Sequence, residues 1–441
     1  VILSVLTLAI LTPQIAARDE WQTTALDAAF PYDGAQYEGG AIHDPSIVLF
    51  GDTYVMVNTS GRELAPLSTS KDLKVWKEHG PILDPQPQWL LTAIPQHRSV
   101  WAPTPIRVGD ELRIYYCASA RFGSNTSYIA YAVNKKFNPA RPLEGWEDRG
   151  LLVQSKAEES DFNAIDPEVL IGPDGRHWMT YGSYWGGIFQ VELDPKTGAL
   201  KHPGQAHRHV ASNAERGNPL EAPVMMYHKG YYYLVVTYGL AAQGIRSTYR
   251  MVCGRSKSPQ GPFLGFDDKP MTEGGHASLL KSSEPMYGPG GGNFFQDADG
   301  AWWMAYHYYD GRRFWHGDLW GAPTLQIRRV VWQDGWPLPG LPAGVDLDAA
   351  DSILGAWQFQ TDFGHVLDLT LKPDGTSVLG ERKGTWSREG DLLKLSWPAD
   401  DAPDGAWVDS LVIDPSNRYA VGRNQNGTII RAIQREHEPA R

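Results

Sequence analysis

Asp44, Asp166 and Glu221 each stand at or beside a proline that opens an apolar run: Asp44-Pro45-SIVLF, Asp166-Pro167-EVLI and Glu221-Ala222-Pro223-VMMY. Carboxyl groups in such a set can cleave a glycosidic bond. One acid protonates the leaving oxygen while a carboxylate acts from the opposite face of the sugar. An Asp is short and ordinarily ionised, which suits a base that activates water. A Glu reaches further, and neighbouring carboxylates raise its pKa so that it enters the cycle protonated. Asp44 is therefore the candidate general base and Glu221 the candidate general acid. Asp166 is the third group, supplying the like charge that keeps Glu221 protonated and orienting it. A single Asp-Pro is ordinarily a turn device. Three acids at one phase of a repeat need another explanation.

The elements that must position them do repeat. Gly51-Asp52, Gly109-Asp110, Asp174-Gly175, Lys229-Gly230 and Asp299-Gly300 are turn signals, each followed by an aromatic-rich strand such as YVMV, LRIYY or WWMAYH. About half a dozen residues before each lies a Pro and another apolar run. A recurrent all-β hairpin at this period predicts a five-bladed β-propeller over residues 22–345. Blades of a wheel face one another across its axis, so acids distant in sequence would converge there. The shared phase is assigned to Asp44, Trp101, Asp166, Glu221 and Gly288. Acids on separate blades are expected about 6.5–9.5 Å apart, which leaves room for a water and predicts inversion. Segments 61–99, 134–165, 198–220 and 241–286, rich in Pro, Gly, Ser and charge, read as loops.

Near residue 340 the composition shifts. Pro337, Pro339, Gly340, Pro342 and Gly344 form a linker, after which short alternating strands separated by Pro373-Asp374-Gly375 and Asn424-Gln425-Asn426-Gly427 predict a small antiparallel β-barrel over residues 350–435. Gly355-Ala356-Trp357 is similar to the Gly-x-Trp opening of lipocalins. The module holds no paired acids, His cluster or phosphate loop, so it reads as accessory. The fold class is thus all-β throughout.

A net charge of −11 argues against nucleic acid or an anionic membrane as partner. The 17 Trp and 20 Tyr serve strands first, and Trp101 and Trp185 are candidates for sugar contact. Residues 1–17 read as the apolar part and cleavage region of a signal peptide, so the mature chain is expected to be secreted or periplasmic, free of the membrane and monomeric. Cys117 and Cys253 read as buried free thiols. Asn58, Asn125 and Asn426 satisfy the N-glycosylation pattern and read as unmodified.

As a set, the motifs resemble family 43 glycoside hydrolases, and within them the endo-1,5-α-L-arabinanases. The matching residues are His43-Asp44-Pro45-Ser46, Trp101-Ala102-Pro103, Phe122 to Asn125, Asn163-Ala164-Ile165-Asp166-Pro167, Gly182 to Gly187, Glu221-Ala222-Pro223, Gly288-Pro289-Gly290 and Tyr306-His307. The resemblance implies a five-bladed propeller with Asp44 as base, Asp166 as pKa modulator and Glu221 as acid. It implies arabinofuranosyl contacts at Gly123, at Asn163, Ala164, Ile165 and Asp166, and at Ser183, Tyr184 and Trp185. It also implies a largely hydrated Ca2+ held through His307, although an imidazole is an uncommon ligand for a hard cation. Gly291-Gly292-Asn293 departs from the polar pair usual after Gly-Pro-Gly, and this bears on contacts near the fifth blade. A larger arabinanase subgroup appends a β-barrel similar to residues 350–435. The implied substrate is arabinan or its oligosaccharides, cut internally. The rival readings are an exo-acting α-L-arabinofuranosidase or β-xylosidase on the same scaffold, and a sugar-binding propeller without catalysis. A retaining fructan-type hydrolase on the same propeller is a further alternative.

Overall fold

A computed structural model describes residues 30–435, apart from 31, 33, 34, 38, 39, 62, 96–98 and 318. The leader expected at 1–17 lies outside the described residues. Five antiparallel sheets follow one another along the chain, and each is built on one of the five hairpins. Blade 1 comprises His43–Phe50, Thr53–Thr59, Pro66–Ser70 and Val75–Pro81, with Gln36–Tyr37 added in parallel at its outer edge. Blade 2 runs from Trp101–Val108 to Trp146–Ser155, and blade 3 from Glu168–Ile171 to Arg208–Ala211. Blade 4 runs from Leu220–His228 to Ala277–Leu280, and blade 5 from Met286–Gln296 to Trp336–Pro342. The five turn signals stand between the first two strands of each blade. Gly51, Gly109, Gly175, Gly230 and Gly300 all take the positive φ (62° to 82°) that a tight turn demands and a glycine permits.

The segments expected to be loops hold the outer strands of the blades. Pro66–Ser70 and Val75–Pro81 lie in 61–99, Trp146–Ser155 in 134–165, Arg208–Ala211 in 198–220, and Arg250–Ser256 with Ala277–Leu280 in 241–286. Several of these strands are short or half-exposed, so their sequence lacks a clean apolar alternation; Val75–Pro81 reads VWKEHGP with one buried residue. The first antiparallel strand of blade 1 starts at His43, and residues 22–29 of the expected domain lie outside the described residues. A single short α-helix, Gln88–Ala93, is present among the described residues.

Residues Gly355–Gln434 form a closed eight-stranded antiparallel barrel, as the strand pattern predicts. Its interior is filled by buried Trp357, Phe359, Leu369, Leu395, Trp397 and Leu411. The barrel does not hang from a linker. Phe363, Tyr419, Val421, Ile429 and Ile433 share one apolar core with Val235, Met304 and Leu338 of blades 4 and 5. Buried polar bonds cross the same seam. Arg423 donates to the carbonyls of Ser278 and Pro337 at 2.7 and 3.3 Å and to Gly427 at 2.6 Å, while Tyr419 donates to Pro339 O at 2.9 Å. Gln333 of blade 5 donates to Ser410 O at 2.8 Å.

An Arg423→Ala variant leaves these carbonyls buried without a donor, at about 1–3 kcal/mol. Urea unfolding is expected to show a lower midpoint with propeller and barrel still melting in one transition; two separated transitions would mean that the seam does not couple them.

Candidate active site

The three acids converge at the hub on a repeated backbone device. In each innermost strand one extra residue is inserted opposite the second strand. His43 pairs with Thr59 and Ser46 with Val57, so two residues face one; Trp101/Cys117 with Thr104/Tyr115 and Glu221/Thr237 with Val224/Val235 repeat the pattern. In blade 3 Gly182 N–H bonds Ile165 O at 2.9 Å and Glu168 pairs with Thr180, which is the same count. The bulged residues are Asp44, Ala102, Asp166 and Ala222, with φ of 48°, 38°, 56° and 50°. Blade 5 has two such bulges, and the one that belongs to the hub spans Gly290/His307 to Asn293/Ala305, with Gly291 at φ 55°. A bulge re-aims side chains at the end of a strand, here towards the axis.

This corrects the phase assigned from sequence. Trp101 and Glu221 stand one residue before the bulge, in the positions of His43 and Ile165. The fifth member is Gly291 rather than Gly288, because the register of blade 5 slips once more beyond Pro289.

A bulge leaves an N–H that its own ladder does not use, and the preceding blade takes it. The N–H of Asp44 bonds His307 Nδ1 (3.2 Å), that of Ala102 bonds Thr59 Oγ1 (2.7 Å), that of Asp166 bonds Cys117 Sγ (3.3 Å), and that of Gly291 bonds Thr237 Oγ1 (3.2 Å). In each case the acceptor is the residue across from the preceding bulge. Blade 3 has Gly182 there, which has no side chain, and the Asp166 carboxylate bonds Ala222 N–H instead, at 3.1 Å. Five bonds thus close a ring around the axis. Cys117 also donates its thiol to Trp101 O at 3.2 Å, and both cysteines are free and buried. Gly291 must lack a side chain, since a Cβ would lie 2.3 Å from Asp44 Oδ1 and 2.7 Å from His307 Cε1.

Above this ring opens a cavity of about 770 Å³. Asp44, Asp166, Glu221, Trp101, Gly123, Asn163, Ile165, Ser183, Tyr184, Trp185 and His307, all expected from sequence, line it together. Ala164 does not; it is fully buried beneath the wall, its N–H on Ser155 Oγ. Thr59, Tyr249, Tyr309 and the 240–243 loop were not expected. Thr59 is hidden in sequence inside a glycosylation pattern, and Tyr249 in a strand-like run, so neither carries a signal of its own. Asn58 and Asn125 are buried, consistent with the unmodified reading.

Desolvation at the hub raises all three carboxyl pKa values. Asp44 is pushed up to about 6, opposed by the hydroxyl of Thr59, which donates to Oδ2 at 2.7 Å. Glu221 is pushed up to about 7, first by burial and then by the charge of Asp44, while Ser183 Oγ, donating to Oε2 at 2.7 Å, holds it down. Tyr249 OH bonds the other oxygen, Oε1. Asp166 rises well above the ordinary range, through burial and the charges of Glu221 and then Asp44. The like charge that acts on Glu221 comes from Asp44, while Asp166 is raised by both Glu221 and Asp44. Below them Glu168, buried and bonded by Thr104 Oγ1 at 2.8 Å, is also pushed up, to about 8.

His307 is buried and its pKa is driven well below the ordinary value by burial, so the ring is neutral. Nδ1 accepts the Asp44 N–H, which puts the ring proton on Nε2, and that atom is buried without a partner. Among the described residues no group of three His, Cys, Asp or Glu side chains converges as a metal cluster. The donor set suits a water on Nε2 better than a directly bound cation.

Fold and hub together define a propeller with a carboxyl trio at one end of its axis. The model of the family described as glycosyl hydrolases family 43 matches residues 39–337, and the chain belongs to that family. It is 34% identical over 318 residues to the extracellular endo-α-(1→5)-L-arabinanase 1 of Bacillus subtilis, covering 71% of this chain and 92% of the relative. It is 31% identical to the extracellular exo-α-(1→5)-L-arabinofuranosidase ArbA of Cellvibrio japonicus, covering 67% and 85%. The solved endo-arabinanase of Bacillus licheniformis superposes with TM-score 0.62 at 31% identity, over 70% of this chain and 100% of that one. The endo-1,5-α-L-arabinanase of Thermotoga petrophila superposes with TM-score 0.75 over 92% and 100% at 23% identity, which shows a shared fold reaching into the barrel.

The pKa values bracket a window between about 6 and about 7 in which Asp44 is ionised and Glu221 protonated. Thr59→Val removes a donor to ionised Asp44, so the acidic limb of the kcat/KM profile is expected to move to higher pH. Ser183→Ala removes a donor to ionised Glu221, so the basic limb is expected to move to higher pH as well. A limb that moves the other way in either variant would contradict these assignments.

Proposed function

We propose that the protein hydrolyses α-1,5-linked arabinan by internal cleavage, with inversion, through Asp44 as general base and Glu221 as general acid. The observation that carries this reading is the trio of acids at the floor of one cavity, with the lowest pKa on Asp44 and a protonated Glu221. Asp44 keeps 28% of its side chain exposed at the cavity floor, where a water can reach it. Thr59 fixes its carboxylate and uses its own lone pair on Ala102 N–H, so its hydroxyl has one direction open. Glu221 delivers its proton to the leaving oxygen, and its other contacts stabilise the carboxylate that results. Asp166 accepts the Ala222 N–H through Oδ2 and so holds the backbone next to Glu221. Asn163 lines the cavity, and its Oδ1 is buried without a partner, an acceptor suited to a sugar hydroxyl. By their names the relatives above are endo-arabinanases and one exo-α-(1→5)-L-arabinofuranosidase, and the names of those from Bacillus subtilis and Cellvibrio japonicus begin with "extracellular", which supports secretion of this chain.

A calcium ion belongs to the proposal in limited form. It would sit in the axial space beside His307, linked through a water on Nε2, and it would supply positive charge that favours ionised Asp44.

Glu221→Gln and Asp44→Asn are each expected to lower kcat on linear arabinan by about 10³-fold or more. Near-normal turnover in either removes the assignment, and the anomer first formed, followed by NMR, decides between inversion and retention. A spread of oligosaccharides is expected among early products, whereas arabinose alone would mean exo action. For the metal, added calcium is expected to raise the melting temperature of the wild type but not of His307→Ala; no shift in the wild type would remove the ion from the proposal.

A further inference from the structure

The second hairpin of blade 5 is longer than the blade needs. Trp302–His316 and Leu319–Gln333 are 15 residues each, against at most 11 for any other strand. Beyond Asp310/Ala322 the pairing turns irregular, with Phe314 opposite Trp320 and His316 opposite Leu319. The pair therefore continues past the sheet as an arm.

Two contacts place this arm on the wall of the catalytic cavity. On one face Trp315 meets His43 and Tyr309, with ring centroids 5.6 and 5.8 Å apart, and both of those residues line the cavity. At its base the arm touches the loop that supplies Leu240 to Gln243 to the same cavity. A Cβ on Gly244 would lie 2.0 Å from Trp320 O, and one on Gly321 would lie 2.6 Å from Ile245 N, so the two backbones are pressed together. The arm is thus fixed at the rim.

Its other face carries Phe314 and Trp320, exposed by 56% and 38% and packed edge to face at 5.9 Å. Two large aromatic rings in water gain nothing for the fold, and an exposed pair beside a cleft marks a binding surface. Of the two arginines of the arm, Arg312 is ion-paired and Arg313 has no acid partner among the described residues. Arg312 is bound by Asp310 at 2.9 Å, and Arg313 turns to Thr324 at 3.1 Å. A ligand with flat C–H faces fits the two exposed rings, and the guanidinium of Arg313 beside them can donate to its hydroxyl groups. Across the hub, at the blade-2 side of the cavity, Phe122 is 78% exposed, so the cleft is flanked by aromatic surface at both ends.

We propose that Phe314 and Trp320 form a distal subsite where a polysaccharide chain, continuing out of the cavity, stacks its sugar rings along the blade-5 arm. This rests on the reading of the chain as an arabinan hydrolase. The arm selects for long chains, because only a chain that continues out of the cavity gains the extra stacking.

The test compares linear arabinan with arabinotriose, using wild type and a Phe314→Ala/Trp320→Ala double variant, with a thermal melt to establish that the variant folds. The ratio of KM for arabinan to KM for arabinotriose is expected to rise about fivefold, as loss of aromatic stacking near 1 kcal/mol implies. Trp320→Phe, which keeps a ring, is expected to restore part of it. An unchanged ratio, or an equal rise on both substrates, overturns the subsite. Loss in the double variant of a dimer that the wild type forms on gel filtration overturns it too, since the patch would then be a contact between copies. A wild type that leaves arabinan intact refutes the hydrolase reading itself, and is distinguished from failure of the subsite by that fact.

Discussion

The structure depends on one constraint: a bulged strand frees a backbone N–H in the dry centre of a wheel, and that group has to find an acceptor. Each blade meets it with a side chain lent by the blade before. Thr59, Cys117, Thr237 and His307 do this work at equivalent positions, and the carboxylate of Asp166 does it where Gly182 offers nothing. Because the bulged residues are also where Asp44 and Asp166 stand, the bonds that align the blades also set the positions of two of the three acids. Glu221 is held one residue away, by Ser183 and Tyr249.

Crowding three carboxyl groups into one hub has an electrostatic consequence. They do not all ionise near neutrality, because each is desolvated and charge on one raises the others. Asp44, with Thr59 on one oxygen, ionises first, and its charge then acts on Glu221 and Asp166. A base and an acid of similar intrinsic strength are separated in this way with no Lys or Arg among the described residues that line the cavity.

Much of this was legible in the chain. The five turn signals fix the blades because a glycine at positive φ leaves a local mark, and the Asp-Pro and Glu-Ala-Pro motifs lead directly to the hub. The outer strands were not legible. Val75–Pro81 is half in water, and its residues follow no period. The phase in blade 5 was missed because the proline that marks the bulge elsewhere stands three residues too early there, and Gly291 betrays its place only by what a Cβ would strike. Thr59 and Tyr249 were missed because their value comes from partners 43 and 28 residues away. Such pairings are products of the fold, not of a motif.

No strand from either end of the propeller crosses into the terminal blade at the other end among the described residues. The closure between the last blade and the first is made instead by Asp44 N–H on His307, Ile47 N–H on Asn293 Oδ1 at 2.9 Å, and Ile42 N–H on Pro323 O at 3.2 Å, together with side-chain packing. The clasp of the wheel therefore passes through the residue placed to activate water. Heat that loosens the clasp disables the chemistry in the same step, so loss of turnover would be the earliest sign of opening, ahead of any change in bulk secondary structure.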